Sequence, residues 1–361
     1  MKASSTKQIP GWGIVGPGQI AKVFAESLQR WQVGRLLRVQ GRSLERSRHF
    51  CAEHGGSAVA DLETLVQDPE VAAVYVATPH SHHGWAVQAA LQAGKAVLCE
   101  KPMSVCPQQS RDLVNLAADL GLPLVEAWMY RCHPQIAQAR RWVEEGRIGR
   151  LQRLEASFGF HAPFQADHRL FAPELGGGAI LDIGGYPLSL AMYFAPCAGD
   201  TQRPYAEPES MQASGRLTST GVEAFATAQV QFDGGFEARI TASIDGELGR
   251  RAVLIGDRGR LHFEDPFMPE GRRLGLIGRL NLETDSGTQE TEVEAPMDCF
   301  ALEAAAMAGM LADDPVNLQP PPPMIGSAET LALADGLLRW RQQVGAVDLQ
   351  PAAVESSEEA C

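Results

Sequence analysis

The chain has 361 residues, 45% of them hydrophobic and 21% charged, and a formal net charge of −13, a profile that fits a globular protein of two domains better than one large core. The acidic balance excludes an extended basic nucleic-acid surface but leaves room for a local cationic pocket that takes a phosphate. No apolar run approaches the roughly 18 residues that a membrane span needs, and residues 1–10 lack the apolar segment of a secretory signal, so a cytoplasmic protein with no membrane partner is expected.

In the first 130 residues, short apolar runs at 13–15, 36–39, 71–77, 96–99 and 122–125 alternate with amphipathic stretches. The third run, Val71-Ala72-Ala73-Val74-Tyr75-Val76-Ala77, has no polar alternation, which marks a strand buried on both faces of a parallel sheet. Helices are predicted over 86–93 and 108–120, each stopped by a glycine, Gly94 and Gly121, that supplies a left-handed cap. Strand and helix in alternation define a Rossmann-like α/β domain, assigned to residues 1–130.

After Pro134 the pattern changes. A helix is predicted over 134–145, and alternating segments then flank Asp233-Gly234-Gly235, Gly256-Asp257-Arg258-Gly259 and Asp285-Ser286-Gly287. Glycine- and aspartate-bearing loops between alternating strands read as hairpins. Residues 131–345 are therefore expected to form an α+β domain on a mostly antiparallel sheet. Its last helix, near 327–340, follows a stiff Pro320-Pro321-Pro322-Pro323 connector, and 346–361 reads as a loose acidic tail. The seven cysteines, at 51, 99, 106, 132, 197, 299 and 361, form no Cys-x-x-Cys pair, so free thiols in a reducing compartment are expected and no metal site.

The segment Gly16-Pro17-Gly18-Gln19-Ile20-Ala21 follows the first strand and opens a helix. Gly16 permits the tight turn, Gly18 lets backbone approach a pyrophosphate, and Ala21 lets helix and strand pack closely; the phosphates then sit on the helix N-terminus. This context points to a nicotinamide dinucleotide. An acidic residue at the end of the second strand would bind the ribose 2′-hydroxyl, but the chain has Gln40-Gly41-Arg42-Ser43. Arg42 and Ser43 suit a 2′-phosphate, so NADP is expected over NAD; the competing reading is a helix-capping serine beside a solvated arginine.

Thr78-Pro79-His80-Ser81-His82-His83 follows the buried third strand and should face the crevice beyond the carboxyl ends of the strands. Loop neighbours seldom converge on one ion, so these histidines are not read as metal ligands. The next strand ends in Cys99-Glu100-Lys101-Pro102, which puts the Lys101 ammonium where it would stabilise charge on a reacting oxygen.

Gly16-x-Gly18-x-x-Ala21, Thr78-Pro79-His80-x-x-His83, Gly94-Lys95, Glu100-Lys101-Pro102, Arg131-Cys132-His133-Pro134 and Gly177-Gly178-x-x-Leu181-Asp182-x-Gly184-x-Tyr186-Pro187 together resemble the Gfo/Idh/MocA oxidoreductase family. The resemblance implies cofactor contacts from Gly16, Gly18, Gln19, Ile20, Arg42, Ser43, Thr78, Pro79, His80, His83, Glu100 and Lys101. His80 stands where the family often has asparagine. Tyr186, where inositol dehydrogenase-like members carry histidine, and the stretch from Arg169 to Gly178 are similar to the glucose–fructose oxidoreductase and dimeric dihydrodiol dehydrogenase branch, which favours NADP.

Asp182 and Tyr186 are spaced four apart, on one face of a predicted helix. Opposite Lys101 they make a workable acid/base set: tyrosine has a pKa of about 10, and a neighbouring ammonium favours its phenolate. Catalytic roles are assigned to Lys101, Tyr186 and Asp182, and substrate contacts to Arg131, His161 and Arg169. The expected reaction is hydride transfer between the nicotinamide and a secondary alcohol or carbonyl of a sugar, cyclic polyol or dihydrodiol. A non-catalytic dinucleotide sensor and a redox-assisted glycosidase that retains its dinucleotide are the alternatives; a proton-transfer set is of no use to the first, and no net absorbance change would mark the second. The resemblance further implies a homodimer or homotetramer through the exposed face of the second sheet, on which Phe225, Thr227, Gln229 and Gln231 alternate.

Overall fold

The computed structural model describes residues 9–199, 202–270, 275–313 and 316–352. The first half is strands β1 (Gly11–Val15), β2 (Arg35–Gln40), β3 (Ser57–Val59), β4 (Val71–Val76), β5 (Ala96–Glu100) and β6 (Leu124–Ala127). They are threaded with helices α1 (Gln19–Trp31), α2 (Leu44–His54), α3 (Leu62–Val66), α4 (His83–Gln92) and α5 (Pro107–Leu120). All pairings are parallel and the order is β3-β2-β1-β4-β5-β6. Because the order reverses between β1 and β4, a crevice opens at their carboxyl ends. The unbroken apolar run of β4 lies at the sheet centre, with Ala73, Val74, Tyr75 and Val76 fully buried; a strand covered on both faces needs no polar side.

The second half contains α6 (Pro134–Glu144), β7 (Leu151–His161), α7 (Gly185–Phe194), β8 (Ser210–Leu217), β9 (Glu223–Gln231) and β10 (Glu237–Ser243). It continues with β11 (Asp245–Gly256), β12 (Gly259–Phe263), β13 (Ile277–Thr284), β14 (Gly287–Glu294), α8 (Cys299–Ala312) and α9 (Ser327–Gln343). Its sheet runs β14-β13-β12-β11-β7-β10-β9-β8, antiparallel throughout except for β7 with β10. The three predicted hairpin loops join β9 to β10, β11 to β12 and β13 to β14. Along β9, Ala226, Ala228 and Val230 are buried while Thr227 and Gln229 point outward, so one face packs inward and the other is polar.

Two sequence expectations are corrected. Residues 346–352 are docked and not loose: Val347 donates to the Gly221 carbonyl (3.0 Å), Arg341 donates to the Val347 carbonyl (2.7 Å), and Ala352 donates to the Ser81 carbonyl (2.8 Å). The remainder of the predicted tail, 353–361, lies outside the described residues. Arg131 is not a substrate contact. It is 1% exposed, with Nη1 on Glu329 Oε1 (2.9 Å), Nε on the Pro323 carbonyl (2.8 Å) and its guanidinium over the Tyr193 ring at 4.1 Å. The sequence cannot reveal this because Glu329 is 198 positions away. Arg131→Leu leaves Glu329 buried and unpaired, so a loss of about 3–5 kcal/mol of unfolding free energy is expected. Denaturant unfolding measures it, and an unchanged midpoint would restore Arg131 to a role outside the core.

Candidate active site

Gly16 has φ 91°, and a side chain there would meet the backbone of Ala77 and Thr78 at 2.7–2.8 Å; the turn out of β1 crosses the exit of β4 too closely for any other residue. At Gly18 the situation is reversed, since nothing lies within 4 Å of a Cβ built there. The first turn of α1 carries no capping side chain and no acidic residue, so its N–H groups and dipole face this open space. Gln19 is exposed and Ile20 half-buried. Thr78 adds a buried hydroxyl with no hydrogen-bond partner among the described residues. An open floor, uncapped N–H groups and an orphaned hydroxyl fit a dinucleotide.

At the end of β2, Arg42 is exposed beside this floor. Ser43 caps α2, its Oγ accepting from Arg46 N at 3.3 Å, so the capping role the sequence left open is present. Pro79 is half-buried in the loop after β4, but His83 is a strut and not an exposed ligand: its Nδ1 lies 2.7 Å from the Pro102 carbonyl and its Nε2 2.9 Å from the Thr78 carbonyl. Burial pushes it down to about 4. His80 ties the same loop to the second half, with Nδ1 2.8 Å from the Gly176 carbonyl, and Ser81 donates to the Glu174 carbonyl at 2.7 Å. Burial first, and Lys101 second, push His80 down to about 3, so both rings are neutral at ordinary pH.

Lys101 follows β5 directly. Its ammonium donates to the Asp182 carbonyl and stands 5.3 Å from the centre of the Tyr186 ring. The sequence places Asp182 and Tyr186 on one regular helix; instead residues Ile180–Gly184 form a π-helical turn and α7 begins at Gly185. In the wider π register the carbonyl of Asp182 would pair with residue 187, a proline without N–H, which leaves that oxygen open to Lys101. Gly185 packs edge-on to Trp128, whose ring a side chain would meet at 2.3 Å. That close approach seats Tyr186, 5% exposed, among Trp128, Tyr130, Phe158 and Phe267, with ring centres 5.1–5.6 Å away.

The Asp182 carboxylate points to Arg169, 2.8 Å from its Nη1. Burial opposes its ionisation, but the charges of Arg169 and Lys101 outweigh burial and hold the carboxyl far below the usual carboxylate range. Arg169 is half-exposed at the mouth of the cleft. His161 ends β7 on the exposed side, its Nδ1 3.2 Å from the Asp245 carbonyl. Glu100, the neighbour of Lys101, is buried and accepts the Tyr75 hydroxyl.

Two residues in this neighbourhood escaped the sequence reading. Glu126, buried at the end of β6, accepts from Met103 N at 2.8 Å and so braces the turn after Lys101; burial raises its pKa. Glu303 on α8 is fully buried, and burial raises its pKa. A single glutamate inside an apolar run such as Leu124-Val125-Glu126-Ala127 was the available signal, because a charge in a buried strand needs a partner. Among the described residues no group of three His, Cys, Asp or Glu side chains converges as a metal site, and no helix is long and apolar enough to cross a membrane.

The parallel sheet with its open glycine floor, joined to a second half whose helix α7 brings Tyr186 to Lys101, defines an NAD(P)-dependent oxidoreductase acting on CH–OH groups. Residues 11–127 match the oxidoreductase family with an NAD-binding Rossmann fold, and residues 136–262 match the GFO/IDH/MocA C-terminal domain. The chain belongs to the Gfo/Idh/MocA oxidoreductase family. It is 33% identical over 259 residues to trans-1,2-dihydrobenzene-1,2-diol dehydrogenase of Bos taurus, covering 71% of this chain and 74% of that one. The Homo sapiens enzyme of the same name is 33% identical over 261 residues, with the same coverage of 71% and 74%. Among solved structures, KijD10, a 3-ketoreductase from Actinomadura kijaniata in complex with NADP and TDP-benzene, superposes with a TM-score of 0.81 at 26% identity, over 95% of this chain and 99% of that one.

Proposed function

We propose that this chain is an NADP-dependent dehydrogenase or reductase that interconverts a secondary alcohol and a carbonyl on a sugar, cyclic polyol or dihydrodiol. The observation that carries the reading is the Lys101 ammonium, fixed on the Asp182 carbonyl and 5.3 Å from the centre of the Tyr186 ring at the carboxyl end of β5. The dihydrodiol dehydrogenase relatives support the substrate class, and the NADP complex of the 3-ketoreductase supports the nucleotide.

When bound, the nicotinamide supplies or accepts the hydride. Gly16, Gly18, Gln19, Ile20 and the first turn of α1 would hold the pyrophosphate, and Thr78, Pro79 and His80 would hold its nicotinamide end. Tyr186 exchanges the proton of the substrate hydroxyl, and Lys101 stabilises negative charge on whichever oxygen carries it. Asp182 and Arg169 act as a pair: Asp182 balances the charge of Lys101, and Arg169 holds Asp182 and offers its free edge to substrate hydroxyls. The aromatic walls around Tyr186 keep bulk water from the reacting oxygen. Residues 1–130 serve the nucleotide and 131–345 the substrate. Two or four chains associate through the outward face of the second sheet, near Thr227 and Gln229. A cytoplasmic setting agrees with the free thiols at Cys51, Cys99, Cys106, Cys132, Cys197 and Cys299.

Arg42 carries the choice of nucleotide. Its charge-assisted bonds to the 2′-phosphate are worth about 2 kcal/mol, so Arg42→Ala should weaken NADP binding by roughly thirtyfold and leave NAD binding almost unchanged. Titration of both nucleotides checks this. A higher kcat/KM with NAD than with NADP in the unaltered enzyme would overturn the nucleotide assignment.

A further inference from the structure

Three consecutive glycines, Gly176, Gly177 and Gly178, join the segment that carries Arg169 to the π turn that carries Asp182. The Gly176 carbonyl lies 2.8 Å from His80 Nδ1, Gly177 donates to the Ala172 carbonyl at 3.0 Å, and Gly178 donates to the Leu170 carbonyl at 2.9 Å. The Gly178 carbonyl in turn accepts from Asp182 N at 3.1 Å. That bond sets where the π turn begins, and the Asp182 carbonyl one step further on holds Lys101. Glycine has the freest backbone of all residues, so three in a row need an outside contact to keep one conformation.

The contact comes from elements far away in sequence. Glu223 opens β9 and is 0% exposed. Its carboxylate occupies the space where a side chain at 178 would stand, and φ there is 115°. Arg341, near the end of α9 and buried, places Nη1 2.7 Å from Glu223 Oε1 and 3.4 Å from the Gly177 carbonyl. Its Nη2 donates to the Val347 carbonyl at 2.7 Å. One guanidinium therefore meets the carboxylate on Gly178, the turn itself and the docked segment 346–352. Neither Glu223 oxygen makes an aligned hydrogen bond among the described residues, and burial raises the pKa of Glu223 and lowers that of Arg341. A buried pair under that penalty contributes little net stability, but it fixes the carboxylate against Gly178.

We propose that Arg341, acting with Glu223, is a positioning residue: the pair clamps the Gly176–Gly178 turn and so sets the Asp182 carbonyl that seats Lys101. This rests on the Lys101 cleft being the active site. It gives a task in the reaction to two charges that touch neither substrate nor nucleotide.

The test uses the full chain with NADP and a substrate that it turns over, and compares Arg341→Met with Arg341→Met/Glu223→Gln, which leaves no buried charge unpaired and serves where the single variant does not fold. The clamp is lost in both, so kcat falls by about tenfold or more through misplacement of Lys101, while NADP titrates as before. In a Lys101→Met background, followed in single turnovers, the same change costs less than about twofold, because the group being positioned is already gone. An unchanged kcat in the folded variant overturns the proposal, and so does an equal loss in both backgrounds, which a general loosening of the core would give. Hydrogen exchange gives a readout that needs no turnover: amides of residues 176–187 exchange faster in the variant, while those of β1 and β4 do not. Unchanged exchange at 176–187 overturns the clamp. An unaltered enzyme that turns over no alcohol or carbonyl would count instead against the functional reading, and the exchange pattern would still test Arg341.

Discussion

Lys101→Met lowers kcat by about a thousandfold or more, and Tyr186→Phe does the same within an order of magnitude. Both changes are conservative in shape. Methionine keeps an unbranched stem against the Tyr186 ring and loses only the ammonium with its bond to the Asp182 carbonyl. Phenylalanine keeps the contacts with Trp128, Tyr130, Phe158 and Phe267 and loses only the hydroxyl. Fold and nucleotide binding should therefore survive, because Gly18 and Arg42, proposed to hold the nucleotide, lie at other strand ends. Removing a group that acts chiefly in the transition state lowers kcat and kcat/KM together. Steady-state kinetics beside NADP titration separate the two effects, and full turnover in either variant removes that residue from the mechanism.

The second large effect is acid unfolding. His80, His83 and His133 are buried, and burial pushes them down to about 3, 4 and 4 respectively, from an ordinary value of 6.5. Between those limits the unfolded chain binds protons that the native chain refuses. Their contribution is thus complete above the unfolded value of 6.5 and is lost as pH falls toward the folded values. Near pH 5 these three protons contribute a slope approaching about 4 kcal/mol per pH unit, opposed by Glu126, Glu223, Glu303 and Glu329, whose carboxyls burial pushes up. Replacing His83 with Gln, which retains a polar group between the Pro102 and Thr78 carbonyls, should remove about a third of the histidine contribution. Thermal midpoints of both proteins from pH 7 to 4 measure this, and parallel profiles would contradict it. Asp182, held far below the usual carboxylate range, adds to the loss only at lower pH.

Much of this was legible in the sequence because it is encoded locally. The strand-turn-helix at Gly16-x-Gly18, the doubly buried run of β4 and the three hairpin loops depend on neighbours a few residues apart. So does the position of Lys101, since a residue at a strand's carboxyl end in a parallel sheet faces the crevice whatever follows. Short elements such as β3 and α3 carry too few residues for a period to register. What could not be read depends on distant partners. Arg131 looked like a substrate contact until Glu329 closed on it, and residues 346–352 looked loose because Gly221 and Ser81 lie far away in sequence. The four-residue spacing of Asp182 and Tyr186 gave only part of their local geometry. It assumed a regular helix, whereas a π turn ahead of Pro187 frees the carbonyl that holds Lys101. The Asp182 carboxylate, expected opposite Lys101, pairs with Arg169, and Asp182 meets Lys101 through its backbone carbonyl.

The most direct measurement follows reduced-nicotinamide absorbance while the unaltered enzyme meets secondary alcohols with NADP, and carbonyls with NADPH. The panel spans dihydrodiols, cyclic polyols and sugars. Turnover is expected with at least one diol or sugar, in both directions, and faster with the phosphorylated nucleotide than with NAD. Nucleotide bound tightly with no absorbance change on any member of the panel would contradict the assignment of Lys101 and Tyr186 to hydride-coupled proton transfer.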